Sequence, residues 1–254
     1  MGDEKRNANE LIRMRKKKRR RRKISLLAAL FIIVSVILCL KLSYFNIARV
    51  EVLDNKIVAK EDIIKLSGIN PGKNIFYLNK KDIKNKVLSN SYISEVSIKR
   101  QLPSTVVLDI KERIPRFHMA EDKDYILLDA EGYVLDRITA VDQSSTVQVL
   151  GLKTDNISFG KRITDDQKKL REFEVFDDMI SRDKTKEKIT SLDISDNMDI
   201  KVCFNNITVK VGNIDDMQNK LNKAINIISQ QNLTDASGYI DVSYNGVPVI
   251  SVQK

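Results

Sequence analysis

The chain has 254 residues and a formal net charge of +10, which suggests a nucleic-acid partner until that charge is located. Residues 1–23 hold 12 Lys or Arg against 3 Asp or Glu, whereas the other residues hold 32 against 31, so the basicity belongs to a short tail and no nucleic-acid partner is expected. Two cysteines and one histidine exclude a disulfide framework and a common four-ligand zinc site.

The tail ends in an unbroken cationic run, Lys16, Lys17, Lys18, Arg19, Arg20, Arg21, Arg22 and Lys23. It leads directly into Ile24–Leu40, 17 residues without a charge. At about 1.5 Å of helix rise per residue, this length crosses a hydrocarbon core of about 30 Å, with Lys41 snorkelling and Tyr44 and Phe45 suited to the far interface. The exit Lys41-Leu-Ser-Tyr-Phe-Asn lacks a small-x-small cleavage pattern, so the segment reads as an uncleaved signal anchor. The expected organisation is a basic cytoplasmic tail (1–23) touching anionic lipid, one span (24–43), and an extracytoplasmic region from Asn46 onward. Cys39 is then expected inside the span and Cys203 outside it, so the two cannot form an intramolecular bridge.

Asn46–Leu53 reads as a strand, with Val50 and Val52 on one face. Lys60–Leu66 is a short helix stopped at Gly68, and Asn79 is a candidate N-cap for a second helix carrying Ile83, Val87 and Leu88. Ser94–Arg100 and Thr105–Lys111 alternate apolar and polar around Gln101-Leu-Pro-Ser104, which fits a hairpin with one face against the helices. The predicted order is β-α-α-β-β.

Beyond Pro115, Tyr125–Val134 suggests two strands around an Asp-x-x-Gly turn, and Gln148–Leu150 a short strand ending at Gly151. Thr164-Asp-Asp-Gln167 is a predicted capping box opening a helix with Leu170, Phe173, Phe176 and Ile180 at helical spacing. Ile189–Ile194, Ile200–Phe204 and Ile207–Val211 are predicted strands. A helix with Met217, Leu221, Ala224, Ile225 and Ile228 on one stripe follows. Tyr239–Tyr244 and Val247–Val252 close the chain around Asn245-Gly246, a type I′ hairpin signal. N-x-[ST] matches at Asn156, Asn206 and Asn232 are what chance supplies in an Asn-rich chain.

These words, in this order behind a signal anchor, resemble the FtsQ/DivIB family of bacterial cell-division proteins over nearly the whole chain. Ile47–Val52, Leu66–Ile69, Gly72–Phe76 and Tyr92–Pro103 are similar to its POTRA domain, closed by the Glu-Arg-x-Pro word at Glu112, Arg113 and Pro115. Leu128–Val134 matches the opening of the family's β domain. Val147–Gly151 lacks the proline often found there, and the chain ends soon after its last predicted strand without the tail some members carry. The resemblance implies an α+β chain with a single N-terminal transmembrane helix. A POTRA-like domain (45–115) and a mixed β domain with flanking helices (116–254) follow. It further implies a non-enzymatic septal scaffold without a cofactor, binding small bitopic coiled-coil proteins of the FtsL and FtsB/DivIC types and other septal proteins. The family adds its partner as a strand at a β-domain edge. The matching segment here is Gly238–Tyr244, so Tyr239, Ile240, Asp241, Val242, Ser243 and Tyr244 are the candidate contacts.

Two other readings compete. A POTRA-type unit can hold transiting polypeptide as a chaperone module, although a single copy on an anchor with no barrel argues against it. A type II anchored sortase-like transpeptidase needs Cys, His and Arg. Cys203 sits in the alternating Val202-Cys-Phe204 without a Thr-Leu-x-Thr-Cys word, His118 is expected in a loop or at a strand edge, and no Arg follows Arg182. Neither a P-loop nor a G-x-S-x-G or H-E-x-x-H word occurs.

Overall fold

The computed structural model describes residues 2–142, 145–152, 157–182, 188–233 and 235–253, with side chains from Lys17 onward except that of Arg182. The side chain of Lys16 and the Asn156 sequon therefore fall outside the described part. Residues are organised in two compact units, Met1–Leu53 with Lys60–Lys86 and Ser97–Asp109, and Asp54–Ala59 with Val87–Val96 and Ile110–Lys254.

The first unit opens with α1 (Gly2–Lys41), which continues back through the basic tail. Lys and Arg are good helix formers, and neither Gly nor Pro interrupts residues 3–41. Among the described residues, one helix is long and apolar enough to cross a membrane, the Lys17–Lys41 portion of α1, whose apolar window is unburied. It gives way to a 3₁₀ turn at Ser43–Phe45.

The elements that follow are β1 (Arg49–Leu53), α2 (Lys60–Ser67), a 3₁₀ turn (Ile75–Tyr77), α3 (Lys80–Val87), β2 (Ile93–Gln101) and β3 (Thr105–Glu112). This is the predicted β-α-α-β-β order, and β1-β3-β2 form a three-stranded sheet with β1 parallel to β3 from Arg49↔Thr105 to Leu53↔Asp109. Asn79 caps α3 as expected, its Oδ1 accepting the Asp82 N–H at 3.3 Å. The helices turn Ile63, Ile83 and Val87 inward. The alternation expected of β3 breaks down, because Val107 is buried together with Val106, Leu108 and Ile110. Thr105 and Val107 share the face opposite Val106, Leu108 and Ile110, and that face opens to solvent only from Asp109 onward.

In the second unit, β4 (Phe117–Glu121), β5 (Asp124–Leu128), β6 (Val134–Ile138), β7 (Val147–Leu150), α4 (Gln167–Arg182), β8 (Ile189–Asp193), β9 (Ile200–Phe204), β10 (Ile207–Gly212), α5 (Met217–Gln230), β11 (Ser237–Asp241) and β12 (Val249–Gln253) succeed one another. The strands make one nine-stranded sheet in the order β12-β11-β10-β9-β8-β7-β4-β5-β6. Parallel neighbours need a crossover, and α4 connects the parallel pair β7/β8 as α5 connects β10/β11. Through the antiparallel β8/β9 and β9/β10 pairs, β7 and β10 point the same way, and both crossovers step in the same direction across the sheet. Right-handed connection then puts both helices on one face. The core agrees: Phe173 and Phe176 of α4 and Met217, Leu221, Ala224 and Ile228 of α5 join Val149, Leu192, Val202, Val209 and Ile240 in one apolar cluster.

The opposite face is polar. Gln148, Ser191, Cys203, Thr208, Tyr239 and Ser251 are in register across it.

Three local expectations are corrected. At the start of α4 the predicted capping box does not form. Thr164 Oγ1 accepts from Asp166 N at 3.1 Å and Asp166 Oδ1 accepts from Lys168 N at 2.9 Å, so the acceptor lies one residue before the helix. Asn245-Gly246 is not a two-residue turn: Asp241 pairs with Val249, leaving residues 242–248 as the connection, and Gly246 is absent from the positive-φ residues a type I′ turn requires. The Ser243 N–H and hydroxyl both bind Asp241 Oδ1, at 3.0 and 2.7 Å, and turn the chain earlier than expected. Finally, His118 is neither in a loop nor at an edge. It is 2% exposed on β4, a strand paired on both sides.

Glu172 on α4 is 2% exposed, and its Oε2 has no hydrogen-bond partner among the described residues. It lines a cavity of about 240 Å³ with Lys168, Arg171 and Asp215. Burial pushes its carboxyl up to about 7; Lys169 opposes the shift and Asp166 adds to it. A carboxyl held above its ordinary value of 4.5 binds its proton more tightly folded than unfolded, so stability falls as pH rises from about 4.5 through about 7. Glu172→Gln keeps the shape and cannot ionise. The variant is expected to exceed the parent by ~1–3 kcal/mol at high pH, with the difference vanishing in acid. Thermal unfolding across that pH range measures it, and parallel curves for the two proteins would show that Glu172 is hydrated.

Candidate partner-binding edge

A strand-addition site needs an unpaired edge. At one end of the nine-stranded sheet, β6 is partly covered: Val134 exchanges backbone hydrogen bonds with Lys161 O and Gly160 N, both at 2.8 Å, and Leu135 O accepts the Ser91 hydroxyl at 2.5 Å. At the other end β12 pairs with β11, from Ser237↔Gln253 to Asp241↔Val249, and with no further strand among the described residues. Its exposed residues are uncharged and in part apolar: Val249 is 47% and Ile250 39% exposed, Ser251 and Gln253 are exposed beside them, and Val247, just before the strand, is 85% exposed. Edge strands usually carry charge or are capped. This one does neither.

The predicted contacts therefore divide. β11 is paired in parallel with β10 and antiparallel with β12, so the backbone of Tyr239–Asp241 is not free and the edge role passes to Val249–Gln253. Ile240 and Val242 are core residues, at 0% and 3% exposure, because they face α5. Tyr239 lies on the polar face, opposite Thr208 and Ser251, with Lys210 Nζ 4.5 Å from its ring centroid. Asp241 is half-buried. Burial pushes its carboxyl up, but the Ser243 hydrogen bonds and the Lys210 charge outweigh it and hold the group below its ordinary value. Ser243 and Tyr244 belong to the connection to β12, where Tyr244 is 47% exposed and its hydroxyl donates to Val247 O at 3.0 Å. Pairing across strands is set by distant residues, which is why the local alternation of 238–244 could not reveal which strand is last.

The Glu-Arg-x-Pro word has a physical content that the sequence alone did not disclose. The carboxylate of Glu112 accepts three backbone N–H groups, from Lys56, Ile57 and Val58, each at 2.8 Å. Arg113 Nη1 donates to Asp129 at 2.6 Å, and its guanidinium lies 3.6 Å over the Tyr133 ring. Pro115 stands in the link to β4. Lys17–Lys23 are exposed along α1.

The thiol and imidazole are far apart. Cys203 is on β9, half-buried, with Sγ 3.7 Å from Thr208 Oγ1. His118 is on β4, three strand spacings away in the sheet order, about 14 Å at ~4.8 Å each. Its Nδ1 is 2.9 Å from Thr146 Oγ1, and burial lowers its pKa. Among the described residues, no group of three or more His, Cys, Asp or Glu is placed to hold a metal.

Comparison with known proteins agrees with this architecture. Residues 45–113 match the family model described as POTRA domain, FtsQ-type, and residues 118–243 match Cell division protein FtsQ/DivIB, C-terminal, so β12 lies beyond the matched part. The chain is 37% identical over 223 residues to Cell division protein DivIB of Clostridium acetobutylicum, covering 88% of this chain and 89% of that one. It is 37% identical over 248 residues to DivIB of Clostridium tetani, covering 96% and 94%. Cell division protein FtsQ of Syntrophotalea carbinolica is 30% identical over 202 residues, covering 78% and 70%. Two family matches in the expected order, on a chain with an N-terminal apolar helix, lead to one conclusion: the chain belongs to the FtsQ/DivIB family of cell division proteins.

Proposed function

We propose that this division protein is a non-enzymatic scaffold, crossing the membrane once with its basic tail in the cytoplasm, enriched at the septum, and capturing small bitopic coiled-coil proteins of the FtsL and FtsB/DivIC types outside the membrane. The captured segment adds as a strand to β12. The single observation supporting this is the edge at Val249–Gln253, unpaired among the described residues, uncharged and apolar at the exposed Val249 and Ile250, and backed by the Tyr239 ring on the neighbouring strand. Backbone pairing supplies affinity, and pockets between alternating side chains supply selectivity. A tyrosine offers a large contact area with a polar tip.

The test is co-purification of the full chain with the candidate partners from membranes. Val249→Lys with Ile250→Lys places two charges on the edge, a device by which natural edges refuse further strands. Capture is expected to fall about tenfold or more, since ~1.4 kcal/mol of lost interaction already gives a factor of ten. Undiminished capture by the folded double variant would exclude β12 as the site.

A further inference from the structure

The first unit holds the end of α1 by contacts that an anchor does not itself require. Asn74 is 8% exposed, and its side-chain amide donates to the carbonyls of Cys39 at 2.9 Å and Leu40 at 3.1 Å. These are C-terminal carbonyls of α1, which have no partner within the helix. The same side chain accepts the Phe76 N–H at 2.9 Å, so one residue caps both α1 and the 3₁₀ turn Ile75–Tyr77. The join is reinforced by an Asn46↔Asn74 bridge, by Ile47 N to Lys73 O at 2.9 Å, and by the Phe45 and Phe76 rings 5.4 Å apart. From the other side, the Arg100 guanidinium donates to Leu78 O at 3.1 Å. The turn is thus held as a rigid knuckle against the end of the apolar helix.

The location of the knuckle has a consequence. The uncharged run ends at Leu40 and Lys41, so the carbonyls Asn74 binds lie where hydrocarbon gives way to headgroups. Tyr77 is three residues further along a turn rising about 2 Å per residue, within roughly 10 Å of that boundary. It is 68% exposed, as is Tyr44 at 67%, and Lys73, Lys80 and Lys81 are exposed nearby. Aromatic rings with a polar tip, flanked by amines, fit the interfacial layer of a phospholipid bilayer.

We infer that the Ile75–Tyr77 knuckle is a second membrane contact, with Tyr77 seated in the outer headgroup layer of a phospholipid bilayer and Asn74 setting its depth. Two contacts, α1 and the knuckle, fix the tilt and rotation of the first unit on the membrane, which a single helix with a free linker cannot do. The inference rests on α1 being the anchor.

The chain contains no tryptophan, so Tyr77→Trp creates a single reporter. The full chain is reconstituted into phosphatidylglycerol/phosphatidylethanolamine vesicles carrying spin-labelled lipids, either at the headgroup or deep in the acyl chain. Flotation of the vesicles first checks insertion, and failure to float would overturn the anchor reading itself. In floated vesicles, the indole emission of the Tyr77→Trp variant is expected to be blue-shifted from that of N-acetyltryptophanamide in the same buffer. Its quenching by the headgroup label should exceed that by the deep label about twofold, as for an interfacial ring. Adding Asn74→Ala should abolish most of that lipid quenching. Emission at the free-tryptophan wavelength, quenched by iodide and not by labelled lipid, would overturn the inference while leaving the anchor intact. Unchanged lipid quenching in the Asn74→Ala background would remove Asn74 as the depth-setting residue.

Discussion

Gly238→Ala is expected to detach β12, and to abolish with it the capture proposed for that edge, while the other eight strands of the second unit remain folded. Gly238 has φ +147°, a conformation that side chains rarely tolerate, and an added Cβ would overlap Ser251 O and stand 2.8 Å from Val252 Cα. Both atoms are backbone of β12, so no rotamer change relieves the clash. Something must move, and the two strands are unequally held. β11 is pinned by Ile240 in the core and by β10, whereas β12 has five residues, one neighbouring strand among the described residues, and Val249 and Ile250 exposed. Hydrogen exchange should show residues 249–253 losing protection, with co-purification of the bitopic partners down by at least about tenfold. Capture that survives after the amides of β12 have become unprotected would place the partner elsewhere. Full protection in the variant would mean that the sheet absorbs the methyl group by bending.

The largest stability loss is expected from Asp129→Ala, at ~3–5 kcal/mol, because it strands a largely buried cation. The Asp129 side chain is 3% exposed and that of Arg113 15% exposed, at 2.6 Å. Asp129 Oδ1 also accepts the N–H groups of Glu131 at 3.0 Å and Tyr133 at 2.8 Å, closing the turn before β6. Removing the carboxylate leaves Arg113 with Glu131 Oε2 at 3.8 Å as the nearest anion and orphans two backbone donors. Asp129→Asn retains an acceptor for those donors and should lose less. Urea titration of the detergent-solubilised chain, followed by circular dichroism, ranks the three proteins. Equal midpoints for the parent and Asp129→Ala would mean that the pair contributes nothing net. The pair matters beyond stability because it links the Glu-Arg-x-Pro word to the turn opening the nine-stranded sheet, and Glu112 beside it gathers the N–H groups of residues 56–58.

Some of this was plain in the sequence because the signal is local. A charge-free run behind eight cations, an Asn before a helical stripe and an apolar stripe such as Met217–Ile228 each declare themselves within a few residues. What escaped was set by distant partners or by weak local propensity. β4 was missed because Phe117-His-Met-Ala-Glu carries no β-branched residue, although it is central to its sheet. Glu172 lies four residues before Phe176, on the stripe that turns inward, and that spacing is the local signal for its burial. In the connection 242–248 the Asp241–Ser243 hydrogen bonds, not Asn245-Gly246, begin the turn.

By itself the sequence determined that the chain has one membrane-length helix with cations on a single flank, that a β-α-α-β-β module follows, and that the remainder alternates strands with two amphipathic helices. These are consequences of charge, hydropathy and period, which neighbouring residues carry between them. Only the tertiary structure decided that β12 is the open edge, that Ile240 and Val242 are core, that Glu112 and Arg113 act as clamps, and that Asn74 caps the membrane helix. Those outcomes depend on which backbone donors and acceptors, far apart in the chain, find one another on folding, and a one-dimensional pattern does not contain that pairing.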